Sequence, residues 1–165
     1  MKENWNFKFD KTDWEIAKEL RKDARASSSE IARKLDLNPR TVRNRIDRMV
    51  DSGGIRPYWV FEPKAFGYVI SVDIFLKIEA DRADEIYESL INLPQVSYLA
   101  YGNGKESLSI EALFKTLEEM DEFIHFKLPA YPGITVESHA LVPKVLRNLY
   151  EWEPDISDYR EDASE

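Results

Sequence analysis

The sequence predicts an α+β protein in two parts: an N-terminal helix-turn-helix (winged-helix-like) domain followed by a ferredoxin-like βαββαβ domain. Three observations carry this. Apolar residues recur at helical spacing three times within the first 55 residues. From Tyr58 onward the period drops to two over most segments, with two helical stretches between them. The charge divides at the same place: residues 1–57 hold 14 Lys/Arg against 10 Asp/Glu, whereas 58–165 hold 9 against 21, which together make the net charge of −8. The expected division is therefore a helical domain with its hinge (1–57), a second domain (58–150) and an acidic tail (151–165).

Each helical element has its own start and stop signals. The first runs from about Lys11 to Lys22, with Ile16, Ala17 and Leu20 on one face. The second opens on the capping box Ser27-x-x-Glu30 and buries Ile31, Ala32 and Leu35. After a tight connection at Asp36-Leu37, the third has Asn38 at its N-cap and Pro39 at the first helical position. It continues to about Asp51, where Ser52-Gly53-Gly54 stops it. In the second domain, Ile70 to Ile78 alternates as a long strand, followed by a helix with Ala83, Ile86, Tyr87, Leu90 and Ile91 on one face. Val96–Tyr101 and Ser107–Phe114 form a hairpin around Gly102-Asn103-Gly104-Lys105. A second capping box, Thr116-x-x-Glu119, starts a helix burying Leu117, Met120 and Ile124, and Ile134 to Val142 alternates again. This is the order of the split βαβ arrangement.

Composition narrows the chemistry. With 165 residues and 43% hydrophobic content the chain supports a real core. No apolar run suggests a membrane span or a signal peptide, so a cytoplasmic protein with no membrane partner is expected. The absence of cysteine removes disulfides, thiol catalysis and cysteine-ligated zinc. Only His125 and His139 remain for acid–base or metal work, so no metal or cofactor is expected, and the chain reads as a binding protein. His125 reads as a surface or packing residue.

Both helices of the second domain should cover one sheet face. Strand parity puts Phe75, Leu99, Tyr101, Leu113 and Leu141 on the other. An apolar face with no helix over it predicts association with another copy.

The third helix carries the functional signal. Its phase places Val42, Ile46, Met49 and Val50 in a buried stripe, with Arg40, Asn44, Asp47 and Arg48 opposite, Thr41 nearby and Arg43 and Arg45 on the flanks. Four arginines fall within the nine residues from Arg40 to Arg48. Arginine pairs bidentately with guanine and asparagine with adenine in the major groove, so Arg40 and Asn44 are expected to read bases of double-stranded DNA. Asn38, Thr41, Arg43 and Arg48 complete the expected contact set, with Ser28 and Ser29 offering hydroxyls and N–H groups to a phosphate. The competing reading pairs these arginines with Asp47, Asp51 and Glu30, and for Arg45 the two readings stand level.

The stretch SSSEIARKLDLNPRTVRNRIDRMVDSGGI, with Phe9-Asp10-x-x-Asp13-x-x-Ile16 before it, resembles the DNA-binding domain of the Lrp/AsnC (leucine-responsive/asparagine-type) transcription regulators of bacteria and archaea. The second domain resembles that family's effector-binding domain, mainly in element order. The resemblance implies dimers joined through the regulatory sheets, often octamers, nucleoid association, and a small-molecule effector such as an amino acid held between regulatory domains. It points to Gly102, Asn103, Gly104 and Glu106 at the hairpin, while His139 is expected to border the same cleft. Two positions depart from the family. Asp36 replaces a glycine, and Lys105 stands where an acid is expected, which implies weak or absent binding of unmodified neutral amino acids. Two rival functions share the scaffold: an enzyme similar to haem-pathway decarboxylases, and an architectural DNA-compacting protein.

Overall fold

A computed structural model describes residues 8–102 and 107–155. The chain divides into two compact units, one built from residues up to Trp59 together with the stretch from Leu149, the other from Val60–Asn148.

The helical unit contains α1 (Lys11–Lys22), α2 (Ser28–Leu35) and α3 (Pro39–Asp51). Ser27 Oγ accepts from Glu30 N–H while the Glu30 carboxylate accepts from Ser27 N–H and Oγ, completing the box predicted for α2. Asp36 closes α2 in the left-handed region at φ 55°, a conformation an aspartate tolerates. Asn38 caps α3 by accepting from Arg40 N–H at 2.8 Å. The two glycines after α3 have different jobs: Gly53 sits at φ +77°, and a Cβ on Gly54 would collide with the Phe9 ring. Ile16, Ile31, Ala32, Val42 and Met49 are buried at the centre of the unit. From the C-terminal stretch, the Arg21 guanidinium on α1 receives Glu153 at 2.6 Å and donates to the Trp152 carbonyl at 3.2 Å.

The sheet unit contains β1 (Ile70–Ile78), α4 (Ala83–Ile91), β2 (Val96–Tyr101), β3 (Ser107–Phe114), α5 (Leu117–Glu122) and β4 (Ile134–Leu141). The strands are antiparallel in the order β2-β3-β1-β4, the expected βαββαβ topology. Val72, Ile74, Leu76 and Ile78 of β1 and Leu108, Ile110, Ala112 and Phe114 of β3 meet Ile86, Leu90, Phe123, Ile124 and Leu128 in the core.

Three irregularities correct the sequence-based faces. A register shift between Val96 and Tyr98 leaves Leu99 opposite Ile110 and Tyr101 opposite Leu108. Opposed residues share a face, so both point to the helix side. Leu99 accordingly packs on the core, and Tyr101 stacks on Tyr87 of α4 at 6.2 Å. A second shift in β4 skips Glu137, so that His139 and Leu141 lie opposite Ile74 and Val72 on the helix side as well. Of the five apolar residues expected on the open face, Phe75 and Leu113 remain, joined by Tyr98 among Ser71, Asp73, Lys77, Ser109 and Glu111. The third irregularity follows α5, where a π turn spans Phe123–Lys127. Phe123, Ile124 and Leu128 are buried there, whereas Leu117 at the start of α5 and Ile91 at the end of α4, both expected to be buried, are exposed.

Candidate nucleic-acid interface

The candidate recognition surface is built on α3. Val42 and Met49 are fully buried and Ile46 is half-buried, which fixes the rotation of the helix and turns Arg40, Thr41, Arg43 and Asn44 to solvent.

The arginines divide into two sets. Arg45 Nη1 donates to Asp10 Oδ2 at 2.6 Å and to Asp13 Oδ1 at 2.8 Å. Arg48 Nη2 donates to both Asp13 oxygens, at 2.8 and 2.7 Å. The Asp13 side chain has no solvent exposure, so a buried carboxylate on α1 grips two guanidinium groups of the recognition helix. Burial alone would raise the Asp10 carboxyl. Hydrogen bonds from Arg45 and from the Asp13 backbone, with the charges of Arg45 and Arg48, bring it below its ordinary value instead. Arg45 is pulled down by burial and more than restored by Asp10 and Asp13, so its proton is held more tightly than usual. Arg48, expected at DNA, is thus engaged with Asp13 while half of its side chain stays exposed. For Arg45 and Arg48 the partners expected in the structural reading, Asp47, Asp51 and Glu30, give way to Asp10 and Asp13; Arg43 lies 4.0 Å from Asp47, both side chains exposed.

Asp10 and Asp13 were missed by reasoning from charge on α3 alone. Asp10-x-x-Asp13 is itself a capping box: each carboxylate accepts the other's backbone N–H, at 2.7 and 3.2 Å. That spacing is visible in the sequence, but the partnership with Arg45 and Arg48, 32 and 35 positions away, is tertiary. A second clamp joins α1 to α2, where Glu19 accepts from Lys22 and from Lys34. These two bonds hold the Glu19 carboxyl down at about 2 and raise the Lys34 ammonium.

Asn38 uses its side chain as the α3 cap, and Ser28 and Ser29 form the first turn of α2, whose capping bond goes to Ser27. Toward the other expected site, Gly102 ends β2 with its N–H donating to the Ser107 carbonyl at 2.8 Å. Asn103, Gly104 and Glu106 lie outside the described residues. His139 is exposed on the helix side of β4, its ring 6.0 Å from that of His125 in the π turn.

Residues 9–56 match the winged helix-turn-helix DNA-binding family. Over 137 residues the chain is 32% identical to an uncharacterized HTH-type transcriptional regulator of Pyrococcus furiosus, covering 82% of this chain and 93% of the relative. The chain belongs to the HTH-type transcriptional regulators. A regulator of the same description from Pyrococcus horikoshii is 30% identical over 137 residues, covering 82% of this chain and 87% of its own. Among solved structures, the regulator superposes on Escherichia coli AsnC with a TM-score of 0.74 at 22% identity, covering 87% of this chain and 99% of the other. It superposes on a Neisseria meningitidis transcriptional regulator, solved as an L-Met complex, with a TM-score of 0.79 at 20% identity, covering 88% and 96%. The fold is that of Lrp/AsnC regulators. Among the described residues no helix is long and apolar enough to cross a membrane.

Proposed function

We propose that this regulator reads specific DNA through Arg40 and Asn44, with Thr41, Arg43 and the start of α2 at Ser28 and Ser29 holding phosphates. The observation that carries the reading is the division of the arginines. Asp10 and Asp13 draw in Arg45 and Arg48, while Arg40, Thr41, Arg43 and Asn44 stand exposed on one side of a helix whose other side is locked. Arg48 keeps half its side chain in solvent and serves a phosphate only alongside its bonds to Asp13. The relatives' names support a regulator rather than an enzyme of the decarboxylase kind.

Two copies presenting two α3 helices fit a pseudo-palindromic site with half-sites a helical turn, or a multiple of it, apart. The open sheet face with Phe75, Tyr98 and Leu113, and the exposed run Tyr58–Phe61, supply apolar surface for such pairing. A small effector near Gly102 is the regulatory counterpart; the L-Met complex of the Neisseria relative supports that chemistry for the fold. Lys105 in place of the expected acid disfavours the ammonium group of a neutral amino acid here.

Selection of bound sequences from random DNA, followed by binding with variants, tests the reading. Asn44→Ala should relax preference at one base pair per half-site and cost about 1–3 kcal/mol on the selected site. Arg43→Ala should weaken all sequences alike and lower the salt slope by about one unit. An unchanged ratio of specific to random binding in Asn44→Ala would favour the architectural reading.

A further inference from the structure

At the end of the β2–β3 pair remote from its turn, the sheet unit holds a cavity of about 340 Å³ between Tyr68, Gln95, the end of β3 and the π turn. The volume falls in the range of roughly 300–1,000 Å³ common to small-molecule sites. The buried Phe114 and Phe123 rings, 5.2 Å apart, back it. Two lysines enter from the rim. Lys115 Nζ lies 5.0 Å from the Tyr68 ring centre; Lys127 Nζ lies 5.6 Å from the Phe123 ring centre and 3.4 Å from Gln95 Oε1.

Their company is unusual for this part of the chain, where carboxylates outnumber cations by more than two to one. Among the described residues neither lysine forms an ion pair, although Glu119 and Glu122 line the same cavity. Glu119 is occupied elsewhere: its carboxylate accepts the Lys115 backbone N–H at 2.9 Å, one residue before the Thr116 cap of α5. Aromatic faces and an amide oxygen hold both ammonium groups in place without neutralising them. Lys127 is half-buried with Gln95 Oε1 as its polar contact, and an anion brought between the lysines gains charge-assisted hydrogen bonds. The two glutamates disfavour a second negative charge on that anion.

We propose that this cavity binds a small organic monocarboxylate, its carboxylate between Lys115 and Lys127 and its body toward Phe123 and Tyr68. The site is separate from the Gly102 turn and stands independently of the effector reading given there.

Titration of the full chain with phenylacetate, succinate, inorganic phosphate and phenethylamine, followed by calorimetry, tests it. Phenylacetate should bind, phenethylamine should not, and Lys127→Met or Lys115→Met should each weaken phenylacetate at least tenfold. Methionine keeps an apolar stem over the ring, and an unchanged thermal transition confirms that the variant is folded. The proposal is overturned if phenylacetate does not bind, or if both folded variants bind it as the parent does. It is equally overturned if succinate and phosphate bind as well as phenylacetate, which marks a general anion patch. Loss of phenylacetate binding on Gly102→Val with no loss in the lysine variants would move the ligand to the turn.

Discussion

The two units are held together by different physics. The sheet unit buries fifteen apolar side chains in one cluster, enough that its ion pairs are surface details such as Arg82–Glu85. Among the described residues the helical unit buries five, and two anionic hubs tie its three helices: Asp13 joins α1 to α3, and Glu19 joins α1 to α2. That smaller core sets the rotation of α3 about its own axis, and the hubs add direct polar ties from α1 to α3 and to α2. Each carboxylate is shared between two cationic partners, which gives these ties direction and makes the DNA-binding unit sensitive to charge.

The largest test of this contrast removes the deeper hub. Asp13→Ala removes the bonds that tie Arg48 to α1 and one of the two that hold Arg45, which keeps Asp10, and should cost about 1.5–3 kcal/mol, confined to the helical unit. Hydrogen exchange should show α1 and α3 opening early while β1 and β3 keep their protection. Equal loss of protection in both units would mean that the hubs do not set the difference.

Charged substitutions on the sheet sharpen the other side of the comparison. Leu99→Asp places a carboxylate against the core and should lower the melting temperature of the sheet unit, whereas Phe75→Asp, on the open face, should leave the fold intact and, if the proposed pairing uses that face, lower the mass seen in light scattering. The reverse pattern would restore Leu99 to the association face.

The smallest effect is in acid. A glutamate near 4.5 in the unfolded chain and about 2 in the folded one binds fewer protons when folded. Glu19 therefore stabilises fully above pH 4.5, and that contribution fades as pH falls from 4.5 toward 2. The urea midpoint of the helical unit should drop across that window, and the drop should be shallower in Glu19→Gln.

The same contrast governs what could be read in advance. The limits of α1 followed from its apolar spacing, while α2 and α3 begin at caps that the sequence shows, and α3 also takes its start from the proline and its end from the glycines, because those signals act within four residues. Strand limits in the second unit were equally legible. The side-chain faces were not, since parity assumes unbroken alternation and one inserted residue inverts every face beyond it. Leu99, Tyr101, His139 and Leu141 all lie downstream of such an insertion. In the interface, the exposed side of α3 followed from phase, but the capture of Arg48 by Asp13 depends on how α1 crosses α3, which no local signal carries.

The grip of Arg21 on the stretch after Leu149 gives the polypeptide an unusual route. The chain leaves the helical unit once after Trp59 and comes back to it after Asn148, so the sheet unit is an insertion with two covalent tethers rather than a bead on one. A single cut in the exposed Tyr58–Phe61 run would not by itself free the DNA-reading helices from the rest of the molecule. The two tethers join the helical unit at different helices, one directly after α3 and one held against α1 by Arg21, the two helices that Asp13 ties together.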